Sequence, residues 1–279
     1  MYKGPKEVRY LFIDGGYLRK SLEAFSDRYF GGISIPIDFR LIGSPFTKVF
    51  YYDSPPPQRS GEDASDHESR VVAFNTEMNR IRRERGFHVF TGAIVGRPGR
   101  TRQKQVDVKI AVDMLMHTIR RNMHQATLLA GDQDFKPVID ALVQEGMYVI
   151  LYSEERSSSN ELIHAADGHS QIDPLRLYGF ATQAFKDVHP FVSVTQMAKP
   201  DQETIQPTHA LRFTSHHSDG RTADIYASKT GQGMTAFVDC EAANGTADKV
   251  EAPTEDMLIK YLEDVFPDFR TPSDKPEAT

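Results

Sequence analysis

A chain of 279 residues, 39% hydrophobic and 26% charged, can bury a full core as one large domain or two modest ones. Its net charge of -6 excludes a protein that coats nucleic acid by charge alone, while leaving room for a local basic patch. The lone cysteine, Cys240, excludes an internal disulfide and a thiolate cage within the chain. No apolar run approaches the roughly 18 residues of a membrane span, and the charged N-terminus lacks a signal-peptide core, so a cytoplasmic protein with no membrane partner is expected.

In chain order, strand-like runs fall at Val8–Ile13, Lys48–Tyr52, His88–Thr91, Ala126–Ala130 and Tyr148–Tyr152, with helical patterns between them. Gly16–Phe25 is a weak helix. Glu68–Arg85 sets Val71, Val72, Phe74, Met78 and Ile81 at helical spacing, and Val106–Arg121 does so with Val106, Ile110, Met114, Leu115 and Ile119. Lys136–Glu145 is closed by Gly146 as a C-cap. Strands alternating with helices predict βαβ units and a mainly parallel sheet, whose sites form at the carboxyl ends of strands. The Pro-, Ser- and acid-rich Ser54–Ser69 reads as a surface loop.

After Tyr178 the pattern changes, and residues 183–208 are polar with three prolines, as in a linker. Short strands follow at His209–Thr214, Thr222–Ser228 and Met234–Asp239, separated by glycine-containing turns. Thr254–Phe266 then predicts an amphipathic helix with Thr254 as N-cap and Leu258, Tyr261, Leu262 and Val265 on one face. The expected division is 1–180 for an α/β domain, 181–208 for a linker, 209–268 for a small α+β domain and 269–279 for a disordered tail.

Two strand patterns end abruptly at a carboxylate beside glycine. Tyr10-Leu11-Phe12-Ile13 runs into Asp14-Gly15-Gly16, and Ala126-Thr127-Leu128-Leu129-Ala130 runs into Gly131-Asp132-Gln133-Asp134. A third acid, Asp107, opens the Val106–Arg121 helix, where it can face the strand ends. Asp113 lies six residues further on, about 120° around the helix and ~9 Å along it, so the two do not hold one ion together. Acids gathered at strand ends repel one another unless a divalent cation or a shared proton offsets the charge. With Asp14, Asp107, Asp132 and Asp134 as donors and no histidine or cysteine, hard oxygen chemistry favours Mg²⁺ or Mn²⁺ over Zn²⁺. Asp132 and Asp134 have a competing use as N-cap and first turn of the next helix. Arg97, Arg100, Arg102 and Lys104 lead straight into Asp107, and Arg80, Arg82, Arg83 and Arg85 crowd the end of the preceding helix. A cationic strip beside an acidic pocket suits a nucleic-acid backbone. Tyr17 can stack on a base, although packing is its commoner use.

The ordered segments Phe12-Ile13-Asp14-Gly15-Gly16, Lys104-Gln105-Val106-Asp107-Val108, Ala111-Val112-Asp113-Met114-Leu115 and Leu129-Ala130-Gly131-Asp132-Gln133-Asp134-Phe135 resemble the NYN domain, the LabA-like branch of the PIN-like nuclease superfamily. Val149-Ile150 and Ala165-Ala166-Asp167 resemble its following strand and closing segment. The resemblance covers about residues 8–178 and implies a PIN-like, Rossmann-like three-layer α/β/α sandwich and metal-dependent RNA cleavage. It assigns Asp14, Asp107, Asp132 and Asp134 to the acidic site, with Asp113 as a further member. Two positions depart from it: Tyr17 stands where many members carry asparagine, and Ala130 where a serine is common.

A metal-dependent endoribonuclease acting on RNA is therefore expected, with a metal-bound water attacking the phosphodiester and the Arg97–Lys104 loop positioning the backbone. The alternative is a non-catalytic RNA-binding or regulatory module. In either case the C-terminal domain is left for packing, homo-oligomerisation or a protein partner.

Overall fold

Five largely apolar runs too short for helices, and one short polar run, pair side by side to make a six-stranded sheet in the order β3-β2-β1-β4-β5-β6, every neighbouring pair parallel. The strands are β1 Arg9–Asp14, β2 Lys48–Asp53, β3 Phe87–Thr91, β4 Gln125–Leu129, β5 Tyr148–Ser153 and β6 Gly168–Gln171. The structure, a computed structural model, describes residues 7–92, 104–154, 158–198, 211–216, 222–230, 233–238, 246–265 and 269–270. They fall into two units: residues up to 24 with 37–172, and 25–36 with 173 onward.

The first unit is an α/β sandwich. Its helices are the first part of α1 (Gly15–Phe30), then α2 (Phe39–Gly43), α3 (Ala64–Arg82), α4 (Lys104–Ile119), α5 (Lys136–Gln144) and α6 (Asn160–Ala165). Side chains alternate across the sheet as a strand's period of two requires. Tyr10, Phe12, Tyr52, Leu128 and Leu151 form one buried layer with Val106, Ile110 and Met114 of α4 and Ile139 and Leu142 of α5. On α2, the Phe39 ring meets those of Tyr51 and Phe87 edge-on at 5.7 and 6.1 Å. Gly146, at φ 77°, ends α5 as expected, because a left-handed backbone there favours a residue without Cβ.

The strand order places the reversal of chain direction across the sheet between β1 and β4. In open parallel sheets this is where a crevice opens at the carboxyl ends of the strands. Asp14 ends β1, and Ala130-Gly131-Asp132 follows β4, so both acidic motifs reach that crevice edge.

The second unit holds the end of α1, α7 (Pro174–Phe180), α8 (Gln183–Val188), a helix α9 (Glu255–Val265) and an antiparallel sheet. Its strands, β7 Ser193–Ala198, β8 Leu211–His216, β9 Thr222–Thr230, β10 Gly233–Val238, β11 Thr246–Ala252 and β12 Phe269–Arg270, lie in the order β12-β8-β9-β10-β11-β7. α9 buries Leu258, Tyr261 and Leu262, and the Thr254 hydroxyl accepts from the Met257 N–H at 3.2 Å, as its predicted cap role requires. Phe191 is the centre of an aromatic cluster with Phe25, Tyr29 and Tyr178, at ring separations of 4.9–5.3 Å.

Several local expectations change. α3 begins at Ala64, so the latter part of the predicted Ser54–Ser69 loop is helical. A Glu62–Arg70 ion pair at 3.0 Å and a His67 ring nitrogen 3.0 Å from the Pro56 carbonyl tie the proline-rich run to that helix. Residues 183–208, read as a linker, contain α8 and β7. There β7 pairs with β11 as an exposed edge strand, whose polar side chains masked its strand character. Cys240 lies outside the described residues.

Candidate nuclease site

Asp14 occupies the last position of β1, and α1 starts at the next residue. Its carboxylate turns back over the helix and accepts the Tyr17 backbone N–H at 3.1 Å, using one of the donors that a helix leaves unpaired in its first turn. Burial pushes the Asp14 carboxyl up to about 6. The Tyr17 and Gly16 N–H groups pull it down, while the charges of Asp107 and Asp53 push it further up. Asp107, half-buried in the first turn of α4, is also raised, first by burial and then by the charges of Asp132 and Asp134. Asp107 thus links the β1 end to the β4 end electrostatically. Of the four acids expected from sequence, Asp14 feels the charge of Asp107, and Asp107 that of Asp132 and Asp134.

Asp132 and Asp134 follow β4 in a short 3-10 turn, Gln133–Phe135. Asp132 caps it, accepting the Asp134 N–H at 2.9 Å, and both side chains are exposed. The capping use foreseen for this motif is therefore present at Asp132. Gly131 is required by close approach: a Cβ there would stand 3.0 Å from Tyr17 Cζ and nearer still to Cε2. The Tyr17 ring lies against Gly131, and its hydroxyl accepts the Glu154 N–H, at the end of β5, at 2.8 Å. Tyr17 is thus packed across the strand ends, and its backbone, rather than a polar side chain, orients the first acid.

Asp113 is engaged elsewhere. Its two carboxylate oxygens accept from Lys109 Nζ at 2.6 Å, one helical turn back, and from the buried Tyr52 hydroxyl at 2.9 Å. Arg97, Arg100 and Arg102 lie outside the described residues, and Lys104 enters only as the first residue of α4. In α3, Arg80 is bound to Glu77 at 2.7 Å and to the Ile37 carbonyl at 3.0 Å, and Arg82 donates to Asn79. His169 is 3.0 Å from the Ser153 hydroxyl, a structural use.

One residue escaped the sequence reading. Asp53 ends β2, next to β1 in the sheet, and is only 2% exposed. Arg19 of α1 grips both of its oxygens, and the Ser54 N–H donates to one of them at 2.8 Å. The signal was available in Tyr51-Tyr52-Asp53, a third apolar run stopping at an acid, but it continues into serine and prolines instead of glycine.

The donor set is all carboxylate oxygen, which fits a hard divalent cation; burial first, and then the charges of neighbouring acids, raise Asp14 and Asp107, and a cation would offset both costs. Among the described residues, no three histidine, cysteine, aspartate or glutamate side chains stand close enough to hold an ion. The fit therefore rests on the chemistry of the donors. No helix among the described residues is long and apolar enough to cross a membrane.

No curated protein matches the chain. Among solved structures, a protein of unknown function from Vibrio parahaemolyticus is similar at 17% identity and a TM-score of 0.42, covering 65% of this chain and 100% of its own. A protein provisionally described as an oxidoreductase, from Parabacteroides merdae, aligns at 10% identity and a TM-score of 0.24 over 94% of this chain and 80% of its own. Neither likeness is close enough to carry an argument. The NYN domain family model matches residues 11–173, a span from within β1 to just beyond β6 that takes in Asp14, Asp107, Asp132 and Asp134. That is more than half of the chain, which therefore belongs to the NYN domain family of the PIN-like nuclease superfamily.

Proposed function

We propose that the first unit is a metal-dependent endoribonuclease, with Asp14, Asp107, Asp132 and Asp134 as the residues that hold Mg²⁺ or Mn²⁺. The observation that supports this reading is the NYN family match over residues 11–173, within which Asp14 ends β1 and Asp132 follows β4, the two strands on either side of the strand reversal of a parallel sheet. When bound, such an ion lowers the pKa of a coordinated water and offsets charge building on a phosphodiester. The chain's own part is to fix the acids. The Tyr17 N–H holds Asp14, the 3-10 turn holds Asp132, and the first turn of α4 carries Asp107 between them. An RNA substrate follows from the family and from the basic segment entering α4, and the Arg97–Lys104 loop is proposed to position its backbone.

Calorimetric titration with Mn²⁺ tests the donor set. Binding by the unaltered chain should weaken at least tenfold in Asp14→Asn and Asp107→Asn. Equal affinity in all three proteins would remove these residues from the metal site.

A further inference from the structure

The acidic edge that suits a cation is hostile to the phosphate it must approach. We infer that Arg19, gripped by Asp53, is the group that receives an RNA phosphate at this edge. The inference rests on the nucleic-acid reading above and adds a residue to it.

The geometry of the pair is lopsided. Asp53 is buried at 2% side-chain exposure, whereas Arg19 keeps 42% of its side chain exposed. Both Asp53 oxygens are occupied by Arg19, and one also accepts the Ser54 N–H. A guanidinium carries five N–H donors in a planar fork, so the two directed at Asp53 leave others for a second acceptor. The buried acid is the holder and the arginine is the group presented. An ion pair needed only to pin α1 to β2 would gain little from this arrangement, since well-packed apolar residues generally serve as well or better.

Its position is suitable. Arg19 lies five residues beyond Asp14 on the helix that Asp14 itself caps, and Asp53 ends the strand adjoining β1. Asp53 is close enough for its charge to act on Asp14. A phosphate at the strand ends would meet, beside the carboxylates, a planar donor already fixed in direction. Arginine suits this role because its fork matches two phosphate oxygens at once. Glu23, one turn further along α1, is the other acid whose charge Arg19 feels, and it leaves the two-point grip on Asp53 intact.

The test is RNA binding with cleavage blocked by EDTA, measured on labelled single-stranded RNA from about 50 to 200 mM salt. Arg19→Gln leaves a buried acid unpaired and can fail to fold, so Arg19→Gln/Asp53→Asn is compared with the unaltered chain. The double variant removes one positive and one negative charge, which keeps net charge constant. Loss of a phosphate contact should lower the slope of log Kd against log salt by ~0.7 and weaken binding by about 10- to 100-fold. A folded double variant with unchanged slope and affinity would show that the pair is only an anchor and overturn the inference, leaving the nuclease reading to the cleavage assay. Failure of the unaltered chain to bind RNA in EDTA would overturn the inference, and cleavage with Mn²⁺ would still decide the nuclease reading.

Discussion

Replacing Asp14 with asparagine should change how the stability of the fold depends on pH, in a direction set by the burial of that carboxylate. The ordinary value of 3.8 applies in the unfolded chain, against about 6 in the folded protein. The folded state therefore holds the proton more tightly. The stabilisation this gives is complete below the unfolded value, is lost as pH rises through 3.8 to 6, and is absent above. At 1.36 kcal/mol for each tenfold step in acidity, the gap corresponds to about 3 kcal/mol. The amide of the variant would keep an oxygen for the Tyr17 N–H and cannot ionise. Asp14→Asn should match the parent protein near pH ~3.5 and exceed it by up to about 3 kcal/mol at pH ~7.5. Urea unfolding of both proteins at a series of pH values measures this, and their difference removes the titration of groups that do not interact with Asp14. Parallel stability curves would refute the claim that the acid is held desolvated against Asp107 and Asp53.

Other outcomes follow from the same geometry. Gly131→Ala should destabilise by about 1–3 kcal/mol, because the Tyr17 ring that its Cβ would strike is held by its hydroxyl, and pairing it with Tyr17→Leu should recover part of the loss in thermal melts. Mn²⁺ at neutral pH should raise the melting temperature of the unaltered protein and leave that of Asp14→Asn unmoved, since the cation binds the ionised carboxylate. Asp113→Asn should cost on the order of 1 kcal/mol by weakening the contacts with Lys109 and Tyr52, while Mn²⁺ affinity by calorimetry stays as it was. Thr254→Ala should lose about 1 kcal/mol from the α9 cap, read from urea unfolding of the second unit.

Strands β1 to β5 of the first unit are legible because each is a largely apolar run of strand length closed by turn residues. Asp14 and Asp132 stood out because an acid beside glycine is an abrupt stop for such a run. What was hidden depends on contacts distant in sequence. Asp53 gains meaning only once β2 lies beside β1 and Arg19 reaches it from 34 residues away. The role of Tyr17 needed the approach of Gly131 and Glu154, which no local pattern encodes. β6, Gly168-His169-Ser170-Gln171, and β7 are polar edge strands, so the hydrophobic alternation that marks a strand is weak in them. The six-residue spacing of Asp107 and Asp113 already separated their directions, and the pairing of Asp113 with Lys109 and Tyr52 accords with that separation.

Nuclease activity at the four acids is tested most directly by cleavage of labelled single-stranded RNA with Mn²⁺, with Mg²⁺ or with EDTA, run beside Asp14→Asn and Asp132→Asn. Internal cuts should appear that require the metal and vanish in both variants while both remain folded. Intact RNA in every metal condition, or cutting that survives both substitutions, would contradict a carboxylate-held metal as the centre of the chemistry.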